Sequence, residues 1–246
     1  MKWTKYSASG NDFIISHAFI HADRSALARQ LCHRQEGIGA DGLIVLLPHD
    51  THDLEWDFYN ADGSKATMCG NGARAAAHYA ASEGLAPAKM GFLTGAGVIE
   101  AEVSGDVVQT QLTPHQILRQ DIEESGLNWW LIDTGVPHLV AFGDLARFDA
   151  LPLSDLRFKY NANVNLASIE NGVIKVRTFE RGVEGETLAC GTGMAACFLR
   201  ALTEKQVQNP CRVYPKSGEE LTLSLANDRL LFKGAVRRVF EAVLPC

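Results

Sequence analysis

With 246 residues, 46% of them hydrophobic and 21% charged, the chain has the make-up of a globular protein that can bury a core without disulfide support. A formal net charge of −6 and the lack of any Lys/Arg block argue against a nucleic-acid partner. No stretch reaches the roughly 18 apolar residues of a membrane span. The N-terminus carries no apolar export signal, so a cytoplasmic protein with reduced thiols is expected.

In chain order, a glycine turn opens SGNDFII (from Ser9), and the alternating run LEWDF ends at Phe58. Cys69-Gly70-Asn71-Gly72 then leads into helix formers, ARAAAHYAASEG, which stop at Gly84. GVIEAEV (from Gly97) alternates again, and the polar stretch Pro114–Gly126 reads as a join between two halves. Trp129 and Trp130 lie in a near-neutral stretch and read as core or turn packing, not as base-stacking platforms. TGVPHLV (from Thr134) and the alternating IKVRTF, ending at Phe179, follow. Cys190-Gly191-Thr192-Gly193 then opens a second helical run, MAACFLRALTEK, before the strand-like GEELTLS (from Gly218).

These elements repeat. At a shift of 121 residues Cys69 falls on Cys190, Ala75 on Ala196, Phe58 on Phe179 and Gly97 on Gly218. At a slightly different shift SGNDFII falls on TGVPHLV. The expected fold is α/β (α+β), with two pseudo-symmetric halves. Each half is a curved, mainly antiparallel, barrel-like sheet around one central helix. Pseudo-twofold pairing of such halves would bring the two helix N-termini together.

A helix start offers unpaired N–H groups and a partial positive charge, which suit an anion such as a carboxylate. Gly70, Gly72, Gly191 and Gly193 would leave that backbone unobstructed. The same field favours a thiolate over a thiol. A lone Cys-Gly would more often be packed core, but two copies at equivalent positions suit inversion of a stereocentre. One thiolate removes an α-proton from one face while the other thiol delivers a proton to the opposite face. The carbanion's charge would be met by preorganised donors, with neither metal nor cofactor. None of the six cysteines forms a CxxC pair, so a zinc site is not expected. Cys32, Cys197, Cys211 and Cys246 read as structural or incidental.

The ordered segments SGNDF, EGIGADG (from Glu36), FYNADGS (from Phe58), MCGNGAR (from Met68), GVPH (from Gly135), NANVN (from Asn161) and ERGVEGETLACGTG (from Glu180) resemble the diaminopimelate epimerase family over nearly the full length. That resemblance implies conversion of LL-2,6-diaminopimelate to the meso form, in lysine and peptidoglycan-precursor synthesis, by a cofactor-independent homodimer. It implies Cys190 as the base toward the LL centre and Cys69 as the acid. Gly70, Asn71, Gly191 and Thr192 would cradle the reacting carboxylate, with Asn11, Asn60 and Asn163 on the substrate's polar groups. Arg181 would take the distal carboxylate, Glu180 would contact an amine and tune the thiols, and His138 would tune the cysteine pair. The expected division is 1–116, joined by a final strand at about 237–246, and 117–236.

Three positions depart from the family pattern: Val136 where relatives have Asn, Gly42 where some have Gln, and one extra residue at about Glu184. A valine side chain makes no hydrogen bond, so residue 136 is not a side-chain contact. Taken singly, Asn11, Asn60 and Glu180-Arg181 also fit turn-forming or surface roles, and His138 fits a satisfied buried histidine. Three other functions fit parts of the pattern: a proline or hydroxyproline racemase, a non-catalytic carboxylate-binding module, and a thiol redox protein. Asn71 in place of the racemases' histidine, and the ERG…ETLACGTG run, favour the epimerase.

Overall fold

The computed structural model describes residues 2–243; Cys246 and the end of the expected 237–246 strand lie outside them. In chain order the elements are β1 (Lys2–Ala8), β2 (Asn11–His17), α1 (Ser25–Cys32), β3 (Gly42–Leu47), β4 (Leu54–Asn60), α2 (Gly70–Ser82), β5 (Lys89–Thr94), β6 (Gly97–Ser104) and β7 (Val107–Gln111). There follow β8 (Gln116–Glu124), β9 (Leu127–Asp133), β10 (Pro137–Phe142), a 3₁₀ turn (Leu145–Ala150), α3 (Leu153–Tyr160), β11 (Asn163–Glu170), β12 (Val173–Glu180) and β13 (Gly185–Thr187). The last are α4 (Gly191–Thr203), β14 (Cys211–Tyr214), β15 (Leu221–Ala226), β16 (Arg229–Ala235) and β17 (Arg237–Val243). The chain up to Gln111, together with the segment from Gly234 on, forms one compact unit, and Leu112–Lys233 forms a second. The polar stretch Pro114–Gly126 is therefore not a bare join, since it contains β8.

In the first unit the strands pair in the order β17-β1-β2-β3-β4-β5-β6-β7. Two of these pairs are parallel, β2–β3 and β4–β5. Parallel neighbours need a long crossover, and α1 and α2 supply them. The second unit repeats the scheme: β10–β11 and β12–β14 are parallel, and α3 and α4 lie in the crossovers. The other pairs are antiparallel, β8–β9–β10, β11–β12–β13 and β14–β15.

Helices α2 and α4 are both 13 residues long and begin 121 residues apart. Asn71 to Ala80 of α2 are buried on every side, as are Gly193 to Ala201 of α4, which marks each as the central helix of its unit. Small side chains (Ala73, Ala76, Ala77 and Ala80; Ala195, Ala196 and Ala201) let the sheet close in. Around α2 it brings Phe13, Ile15, Ile44, Leu46, Trp56 and Phe92. Alternate residues of β2 and β3, such as Ile14, Leu43 and Val45, point the other way onto α1. Burial on both faces explains why GLIVLL shows no alternation. The second unit does the same, with Val140 and Ala167 facing α4 and Leu139, Val164 and Leu166 facing a separate cluster with Phe148 and Leu156. Trp129 and Trp130 pack into these two cores. No helix of the described residues is long and apolar enough to cross a membrane.

Candidate active site

Cys69 is the N-cap of α2 and Cys190 the N-cap of α4, each with extended backbone (φ −151°, ψ 119° and φ −129°, ψ 107°). An N-cap side chain normally offers an oxygen to the N2 or N3 amide; at α2 the acceptor is sulfur, and Cys69 Sγ takes the Gly72 N–H at 3.4 Å. At α4 Cys190 Sγ lies 3.5 Å from the Thr192 hydroxyl. Cys190 is buried at 9% exposure, and Cys69 is half-buried.

The residues behind Cys69 form one polar network. Asn71 donates from Nδ2 to Asn11 Oδ1 at 2.8 Å and accepts at Oδ1 from the buried Arg74 at 2.8 Å. Arg74 also donates to Ser9 Oγ (2.5 Å) and to the Ala235 carbonyl (3.2 Å). Asn11 Nδ2 donates in turn to Asp41 (3.0 Å). Arg34 holds Asp41 at 2.8 Å and Asp12 at 3.0 Å, and Lys5 pairs with Asp12 at 2.7 Å. These cations keep the Asp12 carboxyl below its usual range despite its burial. The structure thus joins Asn71 and Asn11. The Asn60 side chain is not hydrogen-bonded to either: it lies exposed at the end of β4 and closes the Asn60–Ser64 turn, with Nδ2 donating to Ser64 Oγ at 3.0 Å.

A second network lies behind Cys190. Thr192 Oγ1 meets His138 Nε2 at 3.0 Å, and the Thr192 carbonyl accepts from Thr134 at 2.9 Å. His138 Nδ1 meets Asn165 Nδ2 at 3.1 Å, and Asn165 Oδ1 accepts from Thr178 at 2.9 Å. His138 is fully buried; burial first, then the charge of Arg181, pushes it down to about 3. Asn163 holds the Arg181 N–H at 2.8 Å and donates to the Pro137 carbonyl at 3.2 Å. The Arg181 guanidinium donates to the Asn161 carbonyl at 3.0 Å, with no carboxylate of the described residues in ion-pair range. Burial raises the Glu180 carboxyl above its usual range. The extra residue, Glu184, closes the turn between β12 and β13 at φ +55° and pairs with Arg157 at 2.8 Å.

Asn165 and Thr178 were not read from the sequence as site residues. The signal was available, because Asn165 lies two residues beyond Asn163 on the same strand and so on the same face. The glycines also serve packing as well as open space. A Cβ on Gly193 would sit 2.3 Å from Asn165 Oδ1, on Gly191 3.2 Å from the Phe232 ring, and on Gly72 3.2 Å from Ile44. Gly42 has Phe58 at 2.5 Å from the same construction, so β3 leaves no room there for a longer side chain without rearrangement. Cys32, Cys197 and Cys211 are buried, and burial raises all three thiols, Cys32 to about 12. Among the described residues no group of three or more His, Cys, Asp or Glu side chains gathers as a metal site.

The sequence profile of diaminopimelate epimerase matches residues 3–117 and 130–239. A diaminopimelate epimerase of Nitratiruptor sp. is 64% identical, covering 98% of this chain and 97% of its own. One from Campylobacter jejuni is 54% identical over 98% of both chains, and one from Helicobacter pylori is 44% identical over 99% and 96%. Among solved structures, a probable proline racemase from Agrobacterium radiobacter superimposes with a TM-score of 0.76 at 12% identity, covering 99% and 92%. A phenazine biosynthesis protein of the PhzF family from Bacillus anthracis gives 0.74 at 15%, covering 100% and 99%. The last two share the fold alone. The full-length relatives and the profile together place this chain in the diaminopimelate epimerase family.

Proposed function

We propose that the protein epimerises LL-2,6-diaminopimelate to the meso form, with Cys190 and Cys69 as its base and acid. The observation that carries this reading is that both cysteines, in a chain of this family, are N-caps of equivalently placed buried helices. Cys190 as thiolate takes the α-proton, and the Cys69 thiol gives its own proton to the opposite face. The product leaves Cys190 protonated and Cys69 as thiolate, which is the arrangement the reverse reaction needs. The backbone N–H groups at Gly70, Asn71, Gly191 and Thr192 meet the reacting carboxylate and the charge that grows beside it. Backbone is the natural donor at Asn71, since that side chain is engaged by Asn11 and Arg74.

Arg181 takes the distal carboxylate with its planar fork, while Asn11, Asn60, Asn163 and Glu180 serve the remaining polar groups. His138 and Glu180 tune the thiols. Cytoplasmic residence and a homodimer complete the proposal.

The test is incubation with LL-diaminopimelate in deuterated water without added cofactor. Epimerisation with deuterium at the inverted α-carbon is expected. Cys69→Ala and Cys190→Ala should each lower turnover by about a thousandfold or more with unchanged circular dichroism. Wild-type inversion without isotope uptake, or full activity in either variant, would overturn the two-thiol mechanism.

A further inference from the structure

The two central helices start on different foundations. In strand register Phe13 stands opposite Gly42 and His138 opposite Asn163, and these pairs hold equivalent places in β2–β3 and β10–β11. Two residues further along the second strand of each pair come Ile44 and Asn165. Under the Gly72 turn lie Ile44 and Phe13; under the Gly193 turn lie Asn165 and His138. An apolar pair in one unit is thus a hydrogen-bonded polar pair in the other.

The polar pair has a fixed direction. The terminal atom of Asn165 nearest the Leu139 carbonyl is 3.2 Å away, with the Asn163 carbonyl at 3.4 Å. Carbonyls only accept, so this atom is the NH₂ nitrogen, and the oxygen faces the Thr178 hydroxyl. An amide nitrogen cannot accept, so His138 Nδ1, 3.1 Å from it, carries no hydrogen and takes one of its two, the other going to the nearer Leu139 carbonyl. The imidazole proton then sits on Nε2 and is donated to Thr192 Oγ1. With one of its two lone pairs so engaged, the Thr192 hydroxyl keeps its hydrogen for an acceptor, and the sulfur of Cys190 lies 3.5 Å away.

We propose that Asn165 is a positioning residue for the epimerisation: by fixing His138 as the Nε2–H tautomer, it turns the Thr192 hydroxyl into a donor aimed at the Cys190 sulfur. This rests on the reading of Cys190 as an acid–base thiol, but its readouts need no substrate. At Cys69 the sulfur accepts the Gly72 N–H.

Two-bond ¹H–¹⁵N correlation spectra of the full chain, with His138 assigned by its loss in His138→Gln, report the tautomer at pH 7. An Nε2–H ring is expected; an Nδ1–H or doubly protonated ring overturns the proposal. The rate of iodoacetamide alkylation, followed peptide by peptide, reports the donor at each thiol. Thr192→Val and Asn165→Leu should each slow Cys190 by about tenfold at pH 7 and leave Cys69 unchanged, because loss of a donor to sulfur lowers its thiolate fraction. Thr192→Ser should restore the rate. If Asn165→Leu keeps the wild-type rate at Cys190, or slows both thiols alike, Asn165 has no such role. Where Asn165→Leu does not fold, the wild-type spectrum and the Thr192 pair still decide. Failure of the epimerase reading would show instead as a lack of isotope uptake with the tautomer and the alkylation pattern intact.

Discussion

A histidine sealed among neutral partners ties stability to pH. His138 is held down to about 3 in the folded protein, against 6.5 for the ordinary side chain. Between these values the unfolded chain binds a proton that the folded chain refuses, so stability falls as pH drops from 6.5 toward 3. The slope attributable to this one group approaches about 1.4 kcal/mol per pH unit. His138→Gln should flatten the urea midpoint against pH in that window relative to wild type; parallel curves would show that the ring titrates freely. The neighbouring glycine gives a second outcome at this scale. With Asn165 Oδ1 2.3 Å from its constructed Cβ, Gly193→Ala must displace the hydrogen-bonded Asn165 side chain or the helix, at about 1–3 kcal/mol. Gly185→Ala, whose Cβ meets nothing within 4 Å, should be nearly neutral in the same melts. Equal melting temperatures would mean that α4 shifts at little cost. The two cysteines were legible in the sequence because their motif is written twice. Asn165 was legible only through Asn163, two residues before it on the same face of a strand, because an asparagine by itself carries no charge signature.

At the level of elements, α2 and α4 announce themselves through C-G-x-G followed by helix formers, and their buried faces follow from alanine content. Strand partners were harder to read. Period-2 alternation tells which face is wet but not which neighbour is parallel, and β3, buried throughout, lacks even the alternation. Strand β8 was hidden for the opposite reason. It is mostly exposed, its register slips twice against β9, and Asp121 sits at φ +56°, so its sequence reads as a polar join. Burial also hides cations, Arg200 among them. Arg200 of α4 is 6% exposed, donates to the Asn128 and Val140 carbonyls at 2.9 and 2.7 Å, and lies over the Trp130 ring. It pins the second central helix to β9 and β10. Arg200→Ala would strand two carbonyls and a ring face, so a loss of roughly 2–4 kcal/mol is expected by urea denaturation. A loss under 1 kcal/mol would mean that water replaces the guanidinium without cost.

For the whole molecule, the instructive feature is that the second unit is inserted within the first. The chain leaves the first unit at Gln111 and returns at Gly234. The returning segment is integral to it. Strand β17 pairs with β1 from Lys2↔Val243 to Ser7↔Arg237, Val236 sits in the core around α2, and the Ala235 carbonyl accepts from Arg74. Val236 N–H also donates to the Asp106 carbonyl, and Arg238 pairs with Glu83 just past α2. Deleting residues 234–246 would therefore strip β1 of β17, one of its two antiparallel partners, and take a carbonyl from the buried Arg74. The second unit loses none of its own elements beyond the tail of β16. Hydrogen exchange should register this difference, since amides report the opening of the unit that holds them. The amides of α2 and β1 should lose protection by several orders of magnitude, while those of α4 and β11 keep most of theirs. Equal protection of α2 and α4 in the shortened chain would show that the returning strand is dispensable. Equal loss in both would show that the duplicated units fold only as one.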